Sequence, residues 1–162
     1  MVLKPPFRSK QTVVINSPLE VVWEFNMDIT KIPSFHPRVF KVELLSGKSV
    51  REPGVSYQCH LLGAKHTCVE KDIEVVPMEK IVTVFQQDTF GICKVLQDYV
   101  VETTCERLGS SSTRIEISHY YSTKTLKAKL LNLIAQRRIA RETQAMLKAM
   151  KGAIENTYRD RN

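Results

Sequence analysis

No stretch of this chain approaches the roughly 18 apolar residues that a membrane-spanning helix needs. The opening Met1-Val-Leu-Lys-Pro-Pro-Phe lacks the long apolar segment and small-residue cleavage site of a secretory signal. A cytoplasmic location is therefore expected. The four cysteines, Cys59, Cys68, Cys93 and Cys105, include no C-x-x-C pair. In a reducing compartment they are expected as free thiols packed like small hydrophobes. No Ser/His/Asp or Cys/His set stands at a recognisable catalytic spacing, and no motif points to a cofactor. Acidic residues run short near the C-terminus. Residues 124–162 hold 10 Lys/Arg against 3 Asp/Glu, while residues 1–123 hold 14 of each, so the whole net charge of +7 lies in the last segment.

What is present is an ordinary globular composition, 43% hydrophobic and 25% charged, in a length that suits one domain. Residues 1–8, with two prolines and two basic groups, read as a flexible N-terminal arm, residues 9–158 as the domain, and residues 159–162 as a tail. Lys10–Asn16 has the β-branched content of a first strand. Ser17-Pro18-Leu19-Glu20 offers a cap, a proline for the first helical position and the acidic partner of a capping box. Val21, Val22 and Phe25 then follow at helical spacing, with Trp23 at the edge of the same face. A second short helix is expected over Thr30–Phe35, between Pro33 and Pro37. Alternating strands follow at Arg38–Leu45, Val55–Leu62, Lys65–Val76, Ile81–Gln87, Ile92–Cys105 and Thr113–Ser122. Gly63-Ala64 reads as a tight turn between the second and third of these.

After Thr123 the apolar period lengthens to that of a helix. From Ile139 onward it is cleanly amphipathic, with Ile139, Met146, Leu147, Met150, Ala153 and Ile154 on one side. Leu126, Leu130, Leu133 and Ile134 form a stripe on another face. A single straight helix leaves that stripe partly exposed, so either the helix bends near Ala135–Arg138 or the leucines cover something other than the sheet.

Three segments carry a family resemblance. Ile15-Asn16-Ser17-Pro18-Leu19-Glu20-Val21-Val22-Trp23 resembles the opening of the START-like (SRPBCC) superfamily. Ile32-Pro33-Ser34-Phe35-His36-Pro37-Arg38-Val39 is similar to its segment before the second strand, and Gly54-Val55-Ser56-Tyr57 to the start of its third. The superfamily includes polyketide cyclases/dehydrases, lipid-transfer START domains, coenzyme-Q-binding START-like proteins and plant pathogenesis-related allergens. The likeness spans roughly residues 9–157. It implies an α+β helix-grip fold: a curved seven-stranded antiparallel sheet with two short helices, gripping a long C-terminal helix. It also implies an apolar cavity between helix and sheet.

Around such a cavity the expected ligand-binding residues are Phe25, Phe35, His36, Tyr57, Phe85, Tyr99, His119, Tyr121, Met146 and Met150. For any one of them, plain core packing is the competing explanation. His36 falls where family members often have a portal. His119 is the candidate interior acid–base group; otherwise no catalytic residue is assigned. Of the polar strand residues His60, Glu70, Asp72, Gln86, Lys94, Asp98 and His119, most are expected on the solvent side and a minority at the cavity, where they would orient a ligand. If the Gly63-Ala64 turn has two residues, Cys59 faces Cys68 with His66 next along, a candidate soft-metal set lacking a fourth ligand. Lys127, Leu130, Leu133, Ile134, Arg138 and Arg141 form a candidate membrane or partner surface, or a self-association face, with a plain solvated helix face as the competing explanation. Nucleic acid is disfavoured because this stretch lacks aromatic side chains for base stacking. The expected function is carriage or sensing of a hydrophobic small molecule or lipid. A cyclase/dehydratase-type enzyme using the same cavity, and an interaction module acting through the basic helix, are the competing functions.

Overall fold

The computed structural model describes residues 4–61 and 65–160. The chain runs β1 (Phe7–Ile15), α1 (Leu19–Met27), a 3-10 turn (Ile29–Lys31), α2 (Ile32–Phe35), β2 (Val39–Leu44), β3 (Ser56–Leu61) and β4 (Thr67–Val76). It continues through β5 (Lys80–Asp88), α3 (Ile92–Val95), β6 (Gln97–Gly109), β7 (Ser112–Ser122) and α4 (Leu126–Arg159). All seven strands form one antiparallel sheet in the order β1-β7-β6-β5-β4-β3-β2. The meander β2–β7 follows from its short turns. The first strand closes on the last, so β1 and β2 stand at opposite edges and the helical segment between them spans the sheet. This is the expected helix-grip architecture.

Several local expectations are corrected. β1 begins at Phe7, inside the stretch read as a loose arm; residues 1–3 of that stretch lie outside the described residues. The Gly63-Ala64 turn also lies outside them. Ser17 does not cap α1. Pro18 is still extended (φ −58°, ψ 151°), so the helix starts at Leu19 and Ser17 sits one residue too early. Ser17 is instead fully buried, its carbonyl accepting a 2.9 Å bond from Thr113 Oγ1, while Glu20 turns outward to Arg107. The first part of the segment read as a strand from Ile92 is a helical turn. Asp88 accepts bonds from the backbone N–H groups of Phe90, Ile92 and Cys93 at 2.8, 2.9 and 2.8 Å, winding that stretch into α3 before β6 begins.

Residues Leu126 to Arg159 form one unbroken helix, capped by the Thr125 side chain accepting from Ala128 N. Its second half buries Leu147, Met150 and Ile154 against a core that includes Ile15, Val22, Trp23, Ile81 and Ile115. The same helix covers the open edge of β1. Lys151 Nζ donates to the Val14 carbonyl at 2.7 Å, Glu155 Oε1 accepts from Asn16 N at 2.7 Å, and the Gln136 amide donates to the Arg8 carbonyl. These bonds satisfy backbone groups along the edge strand that would otherwise rely on solvent. The leucine stripe stays outside, Leu126, Leu130, Leu133 and Ile134 being 76%, 62%, 65% and 71% exposed. Continuity of the helix therefore resolves the phase mismatch by exposure of its first half.

Replacing a buried α4 residue should cost far more than replacing a stripe residue. Leu147→Ala is expected to lose about 2–5 kcal/mol, and Leu133→Ala to stay within about 0.5 kcal/mol. Urea unfolding followed by the single, buried Trp23 checks both.

Candidate functional site

Between the inner face of the sheet and α4 lies a cavity of about 550 Å³. Strand alternation decides what faces it. Tyr57 and Cys59 of β3, Thr83 and Phe85 of β5, Tyr99, Val101 and Thr103 of β6, and Ile117 and His119 of β7 all point inward. On β4 the inward series is Cys68, Glu70, Asp72 and then Val75, because the register shifts between Asp72 and Glu74. Glu70 and Asp72 therefore belong to the minority of polar strand residues that face the interior. Across the cavity α4 contributes Ile139, Thr143, Met146 and Met150.

Of the residues expected at a ligand, Phe35, His36, Tyr57, Phe85, Tyr99, His119, Met146 and Met150 line this space. Phe25 and Tyr121 are not among the lining residues. Phe25 packs on the outer side of Phe35, ring centres 5.7 Å apart. Tyr121 is fully buried one layer beyond, edge-on to Tyr99 at 5.2 Å, with its hydroxyl donating to Asn132 Oδ1 at 2.6 Å. It plugs the end of the core under the first half of α4.

The cavity's polar groups fall into two sets. The first centres on Arg51, a loop residue that periodicity could not flag. Its backbone N–H donates to the Met27 carbonyl at 3.0 Å, and its Nε donates to the Asn26 carbonyl at 3.0 Å, placing a cation at the C-terminal end of α1. Its Nη1 donates to Tyr57 Oη at 2.9 Å and to both oxygens of Asp72 at 2.8 and 3.1 Å. Thr83 Oγ1 donates to Asp72 at 2.7 Å, and Tyr57 Oη donates to Glu70 Oε2 at 3.0 Å. Burial alone would lower the Arg51 pKa, but Tyr57 and Asp72 outweigh it and hold the guanidinium above its ordinary value. Burial raises the Glu70 carboxyl above the usual carboxylate range, with Arg51 opposing it.

The second set is a chain across the middle of the cavity. Tyr99 Oη and His119 Nδ1 are 3.0 Å apart, and His119 Nε2 and Thr143 Oγ1 are 2.9 Å apart. Burial lowers the His119 pKa to about 4, so the imidazole is neutral at pH 7, one nitrogen donating and the other accepting. His36, at the α2–β2 junction, is likewise lowered to about 4 by burial, and its Nδ1 accepts from Arg38 N at 3.2 Å. Beside it Glu142 of α4 accepts from Arg38 Nη1 at 2.7 Å and from Arg138 Nε at 2.9 Å. That ion pair ties the junction to the helix. Phe90, Leu131, Ile134 and Arg138 line the cavity yet are exposed, and they mark where it opens.

The candidate metal set is rearranged. Cys59 and Cys68 are direct partners across β3 and β4, as their spacing suggested. Glu70, rather than His66, completes the group. Its carboxylate and the two sulfurs lie within 4.8 Å of one another, three groups that could hold a soft divalent cation. His66 precedes β4 and is exposed, its ring set edge-on to Phe90 at 6.0 Å beside Thr89. Hydrogen bonding to Cys68, reinforced by burial, pushes the Cys59 thiol well up, and it is protonated. All four cysteines are free. Among the described residues no helix is long and apolar enough to cross a membrane.

Two outcomes follow from these groups. Arg51→Met strands Asp72, whose side chain is fully buried, and should cost about 3–5 kcal/mol in urea unfolding. The double variant Arg51→Met/Asp72→Leu should recover part of that loss. The depressed His119 pKa means that the unfolded chain binds its proton first, so stability falls as pH drops from 6.5 towards 4. His36 acts in the same direction. Each contributes roughly 1 kcal/mol per pH unit within that window. In His119→Gln the slope of stability against pH should shrink by about that amount; an unchanged slope would contradict a neutral buried His119.

The comparisons with known proteins agree with this geometry. The family model described as "Polyketide cyclase / dehydrase and lipid transport" matches residues 6–155. No curated protein matches the chain significantly. Among solved structures, an aromatase/cyclase (Zhui) from Streptomyces sp. R1128 superposes with a TM-score of 0.72 at 19% identity, covering 91% of this chain and 92% of that one. A START superfamily protein from Mycobacterium smegmatis gives 0.69 at 15% identity, covering 94% and 99%. Norcoclaurine synthase from Thalictrum flavum, in complex with dopamine and hydroxybenzaldehyde, gives 0.70 at 17% identity, covering 90% and 84%. At such identities these likenesses speak for the fold alone. With a family model covering nearly its whole length and a helix-grip sheet around an interior cavity, the chain belongs to the polyketide cyclase/dehydrase and lipid transport family of the START-like superfamily.

Proposed function

We propose that this protein is a carrier or sensor that takes a hydrophobic small molecule or lipid into the cavity between sheet and α4. The observation that carries the reading is a cavity of about 550 Å³ in which the polar groups of the sheet are largely bonded to one another. Arg51, Asp72, Thr83, Tyr57 and Glu70 form one closed set, and Tyr99, His119 and Thr143 the other. The buried side-chain atoms lacking a partner among the described residues belong to Ser9, Gln11, Ser17 and Gln97, and none of these residues lines the cavity. A charged ligand would have to break existing bonds, whereas an apolar one displaces only solvent. Burying about 200 Å² of its surface at ~25 cal/mol per Å² contributes roughly 5 kcal/mol before the losses of association. Met146 and Met150 give the helix wall an adaptable surface.

A second reading, cyclase/dehydratase-type catalysis in the same cavity, is favoured by one feature. His119 is neutral at pH 7, faces the cavity, and is held by hydroxyls on both ring nitrogens. That is the state required of a general base. The two readings separate on His119→Ala. A carrier should keep its affinity, while an acid–base enzyme should lose about 10²-fold or more in turnover.

The direct test is organic extraction and mass spectrometry of protein purified without detergent, alongside titration with the uncharged fluorophore N-phenyl-1-naphthylamine. A co-purifying apolar compound is expected. Met146→Trp, which projects an indole into the cavity, should weaken the fluorophore at least about tenfold, in keeping with the cost of overfilling a packed site. Absence of any extractable compound, together with equal fluorophore binding by Met146→Trp, would overturn the carrier reading.

A further inference from the structure

The first half of α4 exposes more apolar surface than a solvent-facing helix needs. At 100° per residue Leu126, Leu130, Leu133 and Ile134 fall within one narrow sector, and Arg137 and Arg141 continue the same sector one to two turns later. Lys127 and Lys129 flank it on either side. Lys127, Lys129, Arg137 and Arg141 have no ion pair among the described residues, and Lys124 has only an exposed 3.8 Å pairing with Asp98. The sector is thus apolar in the centre and basic at its rim. The entire +7 charge of the chain belongs to this C-terminal segment.

The sector also adjoins the cavity mouth. Ile134 belongs to both, being 71% exposed in the stripe while lining the cavity. Leu131 and Arg138 stand beside it, and Phe90, 41% exposed, faces them from the turn before α3. Whatever covers the stripe therefore also meets the opening.

We propose that this face docks on an anionic lipid bilayer, with Leu126, Leu130, Leu133 and Ile134 entering the interfacial layer, the basic rim on the headgroups, and the cavity mouth turned to the lipid. Charge selects this occupant. A second copy of the chain would set Lys127, Lys129, Arg137 and Arg141 against their own kind, whereas an anionic surface neutralises them while the leucines are buried. Basic groups near such a surface each add about 1 kcal/mol of attraction that salt screens. Docking needs only α4. Exchange of a ligand with the bilayer rests on the carrier reading above.

The test is sedimentation of the full chain with vesicles of phosphatidylcholine alone or mixed with phosphatidylglycerol. Binding is expected only with the anionic lipid and should weaken as salt is raised. Leu130→Asp and the charge reversal Arg137→Glu should each lower it about tenfold or more. Both variants should retain wild-type Trp23 emission and cavity binding of the uncharged N-phenyl-1-naphthylamine, which separates lost docking from lost folding. Phe90→Trp should gain a blue shift on anionic vesicles that Leu108→Trp, at the β6–β7 turn, does not. Equal binding to neutral vesicles, insensitivity to Leu130→Asp, or a dimer that forms without vesicle binding would overturn the proposal. Met146→Trp keeps the two claims apart: it should weaken fluorophore binding at least about tenfold and leave vesicle binding unchanged, so either can fail without the other.

Discussion

A space of this size under a long helix thins the side-chain contacts between helix and sheet, leaving Leu147, Met150 and Ile154 to make most of them. The walls are then fixed largely from the sides, with the Tyr99–His119–Thr143 chain the tie that crosses the space. Among the side ties Arg51 is the central one. It joins the end of α1, the inner faces of β3 and β4, and through Asp72 the Thr83 hydroxyl of β5. Such an ion pair gains little net stability over a well-packed apolar substitute. What it supplies is position: it sets the loop, helix end and sheet floor in one arrangement while leaving space beside them. Glu142 with Arg38 and Arg138 does the same at the α2–β2 junction, and the α4 bonds to β1 do so along the far edge.

The two polar sets differ in character. The Arg51 set is charged, densely bonded and placed at one end of the cavity. The Tyr99–His119–Thr143 chain is neutral and crosses from β6 through β7 to α4. Because burial keeps His119 uncharged, the middle of the cavity presents dipoles rather than ions to whatever occupies it. On the carrier reading, this favours an uncharged ligand over an anion. The same neutrality would leave His119 free to accept a proton in a catalytic relative of this site.

Much of this was legible in the sequence because the turns are. Ser46-Gly47, Pro53-Gly54 and Gly109–Ser112 interrupt an alternation that has few other readings, and Gly47 and Gly54 do adopt positive φ (70° and 98°). The long helix and the division of its two faces were equally plain. The cross-strand pairing of Cys59 with Cys68 could be read on the premise of a two-residue turn at Gly63-Ala64. What could not be read was everything that depends on a single backbone irregularity or a tertiary contact. The shift at Ile73 changes the inward parity along β4, which hid Glu70 and Asp72. Arg51 sits in a loop with no period to betray it. Phe25 and Phe35 look alike in the sequence, and only their stacking order decides which meets the cavity.

The bonds between α4 and the edge of β1 also bear on how the chain reaches this state. Asn16 and Glu155 are 139 residues apart, and β1 finds its sheet neighbour only in β7. Such long-range closure slows folding, because loop entropy is lost before those contacts form. During synthesis the first strand and first helix must wait, with Ile15 and Val22 unburied, until nearly the whole chain has emerged. The meander β2–β7 can assemble progressively in the meantime. The helix that walls the cavity is then also the clasp that completes the fold.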